Sequence, residues 1–126
     1  MAHPRVLVDS SFWIDHLAGK TTPLEQLLKI RRVALHPMVI GEIAMGSLRN
    51  RNRLIGELQK LPKVPVATNP EVMAFVEWHK LFSTGIGFVD AHLLAAATMT
   101  DNATLLTKDG RLHAQAERLG VAYVNA

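Results

Sequence analysis

The sequence predicts an α/β domain: a mostly parallel sheet of five short strands covered by helices on both faces. Short β-branched, apolar runs alternate along the chain with amphipathic helical stretches, a pattern that needs crossover connections and so a parallel sheet. The composition agrees, with 48% hydrophobic and 20% charged residues and only 8 Gly and 6 Pro, which excludes disordered, collagen-like and coiled-coil chains. At 126 residues the chain is expected to form one domain and to bury about two-thirds of its unfolded surface.

Taken in order, Arg5 to Val8 is an apolar run entering Asp9 and reads as a buried strand. Ser10 or Ser11 caps a short helix carrying Phe12, Trp13, Ile14 and Leu17, and Gly19 stops it. Thr22-Pro23-Leu24-Glu25 is a capping box with Pro at the first helical position, opening a helix with Leu24, Leu27 and Leu28 inward. Val33 to Leu35 is the second strand. His36-Pro37 starts a helix through about Leu48, and a polar helix follows from about Asn50 to Leu61. Pro62 and Pro65 bracket an edge strand around Val64 and Val66. Asn69-Pro70-Glu71 caps a long helix reaching about Ser83. Gly85 and Gly87 form a flexible joint before a helix from about Val89 to Thr100. Ala103 to Leu106 is a strand, Gly110 to Leu119 a helix and Val121 to Val124 the last strand.

The chain has no Cys, which excludes a disulfide scaffold, a thiolate zinc site and a cysteine nucleophile. No window holds the roughly 18 unbroken apolar residues of a membrane span. Asp9 and Asp15 stand where a signal peptide would need an apolar run, so a cytoplasmic protein is expected. The formal charge is +3, with 14 Lys and Arg against 11 Asp and Glu. That mild excess becomes informative only if the acids gather in one place and leave the remaining surface basic.

Four of the acids have positions that suggest gathering. In open α/β sheets the binding crevice lies beyond the carboxyl ends of the strands. Asp9 follows the first strand, and Asp109 follows Ala103–Leu106, so both are expected at one rim; either also suits a helix cap. Glu42 has Met38, Val39, Met45 and Gly46 as helical neighbours and so falls on an apolar stripe. An ionised carboxylate buried there must be protonated, paired or bound to a cation. Asp90 shares a stripe with Leu93, Leu94 and Ala97, although a first-turn Asp also suits the helix dipole. The other seven acids fit caps, turns or solvated faces; Asp15 is among the solvated ones.

If these four converge, their repulsion, about 4 kcal/mol for one pair at 4 Å and an effective dielectric near 20, demands protonation or a divalent cation. An all-oxygen set suits Mg²⁺ or Mn²⁺ and not zinc, and the six His show no close pair at ligand spacing. A metal-holding acidic pocket in a basic surface is what metal-dependent phosphodiester cleavage needs.

The series Leu7-Val8-Asp9-Ser10-Ser11, Gly41-Glu42-Ile43, Val89-Asp90-Ala91-His92-Leu93 and Leu106-Thr107-Lys108-Asp109 resembles the PIN-domain ribonucleases. Among them it is most similar to the VapC toxins of prokaryotic type II toxin–antitoxin systems. The resemblance spans essentially the whole chain. It implies a PIN-like three-layer α/β/α domain over residues 1–126, Mg²⁺- or Mn²⁺-dependent endoribonuclease activity and a cognate antitoxin occupying the acidic cleft. It also implies a homodimer that joins larger toxin–antitoxin assemblies. Carried over by position, Asp9, Glu42, Asp90 and Asp109 are the catalytic, metal-binding acids, and Ser10 and Thr107 are supporting hydroxyls that bond a carboxylate or a metal-bound water.

Lys108 and Arg111 flank Asp109 and are candidate RNA contacts. Arg49, Arg51 and Arg53 alternate two apart and so cannot share one helical face; they read as a solvated helix, with contact to RNA or to an acidic antitoxin segment as the functional alternative. Phe12 and Trp13 read as core or dimer interface, and His92 as a helical His facing away from the metal. Three other classes compete. An aspartyl-phosphate phosphotransferase lacks its second acid, because Ser11 stands there. A receiver-like phosphoacceptor leaves Glu42 unexplained. A non-catalytic binding module would capture a partner without cleaving RNA.

Overall fold

The computed structural model describes residues 4–124. Its centre is strand β1 (Arg5–Val8), whose last three residues are buried. β1 is flanked by β2 (Val33–Ala34) and β3 (Ala103–Leu106), giving the order β2-β1-β3 with both pairings parallel. In register, Val6 lies opposite Val33 and Thr104, and Val8 opposite Leu106.

The five strands expected become three. The two outer segments survive as isolated parallel bridges, Leu35 with Lys63 at one edge and Leu105 with Ala122 at the other. At the first edge the reason lies in the flanking prolines, which have no N–H to donate. Leu35 N–H reaches Pro62 O at 2.8 Å, Val64 N–H reaches Leu35 O at 3.0 Å, and the ladder stops. At the second edge Leu105 N–H bonds Val121 O and Tyr123 N–H bonds Leu105 O before the chain reaches residues 125 and 126, which lie outside the described residues.

Between β1 and β2 run α1 (Ser10–Leu17) and α2 (Pro23–Lys29). Between β2 and the first edge segment run α3 (Pro37–Ala44) and α4 (Arg51–Gln59). The chain then returns across the sheet through α5 (Asn69–Trp78) and α6 (Phe88–Met99), and α7 (Gly110–Arg118) follows β3. Right-handed crossovers running first one way and then the other put α1 to α4 on one face and α5 to α7 on the opposite face. One main cluster of buried residues joins the sheet to both sets, with Trp13, Leu24 and Ile43 from the first and Leu93, Leu94 and Leu112 from the second.

Two helices end earlier than their patterns suggest. α3 stops at Ala44, not near Leu48, where Gly46 and Ser47 follow and Asn50 takes φ +52°. α5 stops at Trp78, not near Ser83, because Lys80 adopts φ +53° and Leu81 N–H turns back to Val76 O. Its N-cap is Thr68 in a capping box with Glu71, one residue before the Asn69 expected there. α2 ends the same way: Arg31, at φ +57°, donates to Leu28 O while Arg32 donates to Leu27 O. That is the turn in which glycine is the usual residue.

A pair of imidazoles ties the two faces together. His36 caps α3, its Nδ1 accepting from Met38 N–H at 3.0 Å. His92, on α6, holds Asn69 Oδ1 at 2.9 Å through Nε2. The rings lie 5.9 Å apart, edge to face, and both side chains are buried. Fifty-six positions separate them in the chain, so no spacing rule could bring the pair to notice; His92 does face away from the acidic rim, into this core. Burial, followed by the neighbouring His92, pushes the pKa of His36 down to about 4, and burial lowers that of His92. In the unfolded chain His36 takes up a proton near pH 6.5. Its contribution to stability is therefore complete above 6.5 and is lost as pH falls toward 4, a difference on the order of 3 kcal/mol. His36→Asn keeps an oxygen for the cap and removes the titration. We expect its melting temperature to be lower than wild type at pH 7 but to fall less steeply between pH 6.5 and 4, measured by thermal melts across that range.

Candidate active site

The parallel register sets the site. Because Val8 and Leu106 lie opposite each other, the residues that follow them, Asp9 and Thr107, leave the sheet side by side. Asp9 N–H bonds Leu106 O at 2.9 Å. Its carboxylate is then held on both oxygens: Oδ1 accepts Ser10 N–H at 2.7 Å, capping α1, and Oδ2 accepts the Thr107 hydroxyl at 2.8 Å. The same Thr107 Oγ1 accepts Asp109 N–H at 3.1 Å. One buried hydroxyl, 98 positions from Asp9 in the chain, thus joins two of the expected acids.

Asp109 caps α7, its Oδ1 accepting from Arg111 and Leu112 N–H at 2.9 and 3.2 Å. The structural reading of this residue is therefore fulfilled, and its side chain also stands at the rim. Asp90 lies in the first turn of α6 and its Oδ2 accepts Gly87 N–H at 3.0 Å. Loss of water raises its pKa against that bond, and the charges of Asp9 and Asp109 raise it further. Glu42 departs from expectation in one respect. It is not sealed under an apolar stripe, because α3 ends two residues later and leaves Met45 and Gly46 exposed. Its carboxyl is open to solvent on that side, yet partial desolvation and then Asp9 and Asp90 raise its pKa, against a hydrogen bond from Ser10.

These couplings link all four carboxylates: Glu42 feels Asp9 and Asp90, and Asp90 feels Asp9 and Asp109. No three of them, among the described residues, stand as close together as the ligands of one ion. All the donors are oxygens, the type that hard divalent ions such as Mg²⁺ and Mn²⁺ prefer.

The flanking cations are partly engaged already. Lys108 Nζ binds Asp15 and lies 5.9 Å from the centroid of the Phe12 ring. Lys108 holds the Asp15 carboxyl below the usual range, with Lys20 assisting. Asp15, read from sequence as a solvated acid, is therefore a strut between α1 and the loop after β3; its α1 spacing gave no sign of that partner. Arg111 lies across Gly85, where a Cβ would meet its Cδ at 2.7 Å and where φ is +90°. The positive φ favours glycine there, and the Arg111 side chain occupies the space a Cβ would take. Among the alternating arginines, Arg51 bonds Ala44 O at 2.8 Å and Arg53 pairs with Glu57, so these two brace α4. Trp13 is buried in the core and Phe12 packs against it.

A profile of the PIN domain matches residues 6–118. Two curated relatives, both named Ribonuclease VapC32 and found in Mycobacterium tuberculosis strains CDC 1551 / Oshkosh and H37Rv, are 39% identical over 117 residues, covering 93% of this chain and 94% of each relative. The crystal structure of PAE2754 from Pyrobaculum aerophilum superposes with a TM-score of 0.62 at 19% identity, over 93% of this chain and 96% of that one. The last likeness bears on the fold alone.

Replacing Thr107 by Val keeps its shape and removes the hydroxyl that Asp9 and Asp109 share. We expect a loss of about 1–2 kcal/mol in urea unfolding, with Thr107→Ser recovering most of it.

Proposed function

The chain belongs to the PIN-domain family, and from that membership we propose that it is the endoribonuclease of a toxin–antitoxin pair, hydrolysing RNA phosphodiester bonds. The observation that carries the proposal is the electrostatic coupling of Asp9, Glu42, Asp90 and Asp109 at one rim. Glu42 and Asp90 are held partly against ionisation by burial and then by the neighbouring acids, a penalty that a bound divalent cation would relieve. Asp9, Glu42, Asp90 and Asp109 would hold Mg²⁺ or Mn²⁺. When bound, such an ion supplies a water of lowered pKa and positive charge facing the phosphoryl oxygens.

The chain's own groups do the positioning. Thr107 and Ser10 fix the Asp9 carboxylate on both oxygens, so it does not swing when the cleft fills. Gly87 N–H orients Asp90 in the same manner. Glu42, solvent-exposed and with raised proton affinity, stands where a proton can pass to bulk water. Arg111 is the flanking cation with no carboxylate partner among the described residues and would face an RNA phosphate; Lys108 would do so only by leaving Asp15.

The partners follow from the same reading: an antitoxin that fills the acidic cleft, and a second copy of the chain. Exposed Trp78 of α5 and Met99 of α6 line a groove of about 390 Å³ that would provide an apolar face for the homodimer. The whole of 1–126 works as one nuclease domain. No helix among the described residues is long and apolar enough to cross a membrane, and a cytoplasmic place of action fits an enzyme that meets RNA.

Cleavage of total cellular RNA is expected to need added Mg²⁺ or Mn²⁺ and to stop with EDTA. In Asp90→Asn the Gly87 contact remains while one like charge is gone. We expect it to melt no lower than wild type without metal, to gain less from Mn²⁺ and to cut RNA no faster than background. An Asp90→Asn protein stabilised by Mn²⁺ as strongly as wild type would contradict the assignment.

A further inference from the structure

The carboxylates occupy one end of the sheet, and the other end is cationic. Arg5 begins β1, and Arg31 and Arg32 immediately precede β2. Together with Leu28, Val33, Leu61 and neighbouring apolar groups they line a half-open cavity of about 710 Å³, within the range of small-ligand sites. No carboxylate lies among its lining residues, and among the described residues none of the three guanidiniums pairs with an acid. Arg5 Nη1 donates to Arg31 O at 3.1 Å, which fixes the turn and leaves its remaining donors available.

A guanidinium fork matches a phosphate through paired hydrogen bonds, and an apolar floor accepts the face of any base. A polyanion approaching the acidic rim meets repulsion there, so its affinity must be supplied elsewhere on the surface. Four-residue strands are only about 13 Å long, so one RNA strand reaches both ends of the sheet.

We propose that the cavity lined by Arg5, Arg31 and Arg32 is a second RNA-binding site, which holds phosphates of a single-stranded segment away from the point of cleavage. The proposal rests on RNA being the substrate, but it concerns binding and not catalysis. The test is fluorescence anisotropy of a labelled single-stranded RNA of about 20 nucleotides, in EDTA so that nothing is cut, over a range of salt concentrations. The variant is Arg31→Gly with Arg32→Gln. Glycine suits the left-handed turn, so the fold is retained, and a thermal melt verifies it.

Affinity at low salt is expected to fall roughly tenfold, and the slope of log K against log salt to shrink by roughly 1.4, or about 0.7 per lost phosphate contact on a single strand. An unchanged affinity and slope in the folded variant would overturn the proposal. So would a poly-glutamate peptide that binds as tightly as the RNA and is weakened equally, which would assign the cavity to an acidic protein segment. A slope reduced as expected in a protein that cuts no RNA leaves this site standing and removes only the nuclease reading.

Discussion

The position of β1 between two parallel neighbours is the constraint from which the rest follows. Its backbone groups are committed on both sides, and three of its four residues are buried. A slip of one residue would exchange the side chains of its two buried faces and disrupt the packing on both. With the register fixed, Asp9 and Thr107 emerge as neighbours, and a single hydroxyl then sets the carboxylate of one and the helix cap of the other chain segment. The precision of the rim is inherited from the ladder beneath it.

Concentrating acids at that rim costs stability, and the molecule distributes its charge accordingly. Each acid is held by a backbone or hydroxyl donor, while partial burial and then the neighbouring carboxylates oppose ionisation in Glu42 and Asp90. Arg5, Arg31 and Arg32 stand at the far end of the strands, while Arg111 stays beside Asp109. No carboxylate lines the cavity of those three arginines, so they are not neutralised by the acids of the rim.

Much of this was legible in the sequence. Val8-Asp9 and Leu106-Thr107 showed their strands through β-branched, apolar runs, and the acid after each strand could be placed at the carboxyl end of a parallel sheet. Thr22-Pro23 and Asn69-Pro70 marked helix starts to within a residue. What escaped notice depended on contacts between distant positions or on local backbone energetics. Asp15 with Lys108, and His36 with His92, are pairs no spacing rule connects. Lys80 and Arg31 sit in left-handed turns where propensity looks for glycine, so the helical pattern of α5 runs past its true end. The periodicity of α3 likewise runs past Ala44, so the pattern alone covers a Glu42 that the structure leaves exposed.

The truncated outer segment at Pro62–Pro65 has a consequence for how the protein behaves at high concentration. An incoming extended chain finds there two residues without an N–H and a Lys63 whose ammonium is already bound to Gln59 O and Leu61 O. Such an edge gives no template for stacking further strands. Newly made copies can therefore accumulate in a crowded cell with little tendency to grow into fibrils from that side.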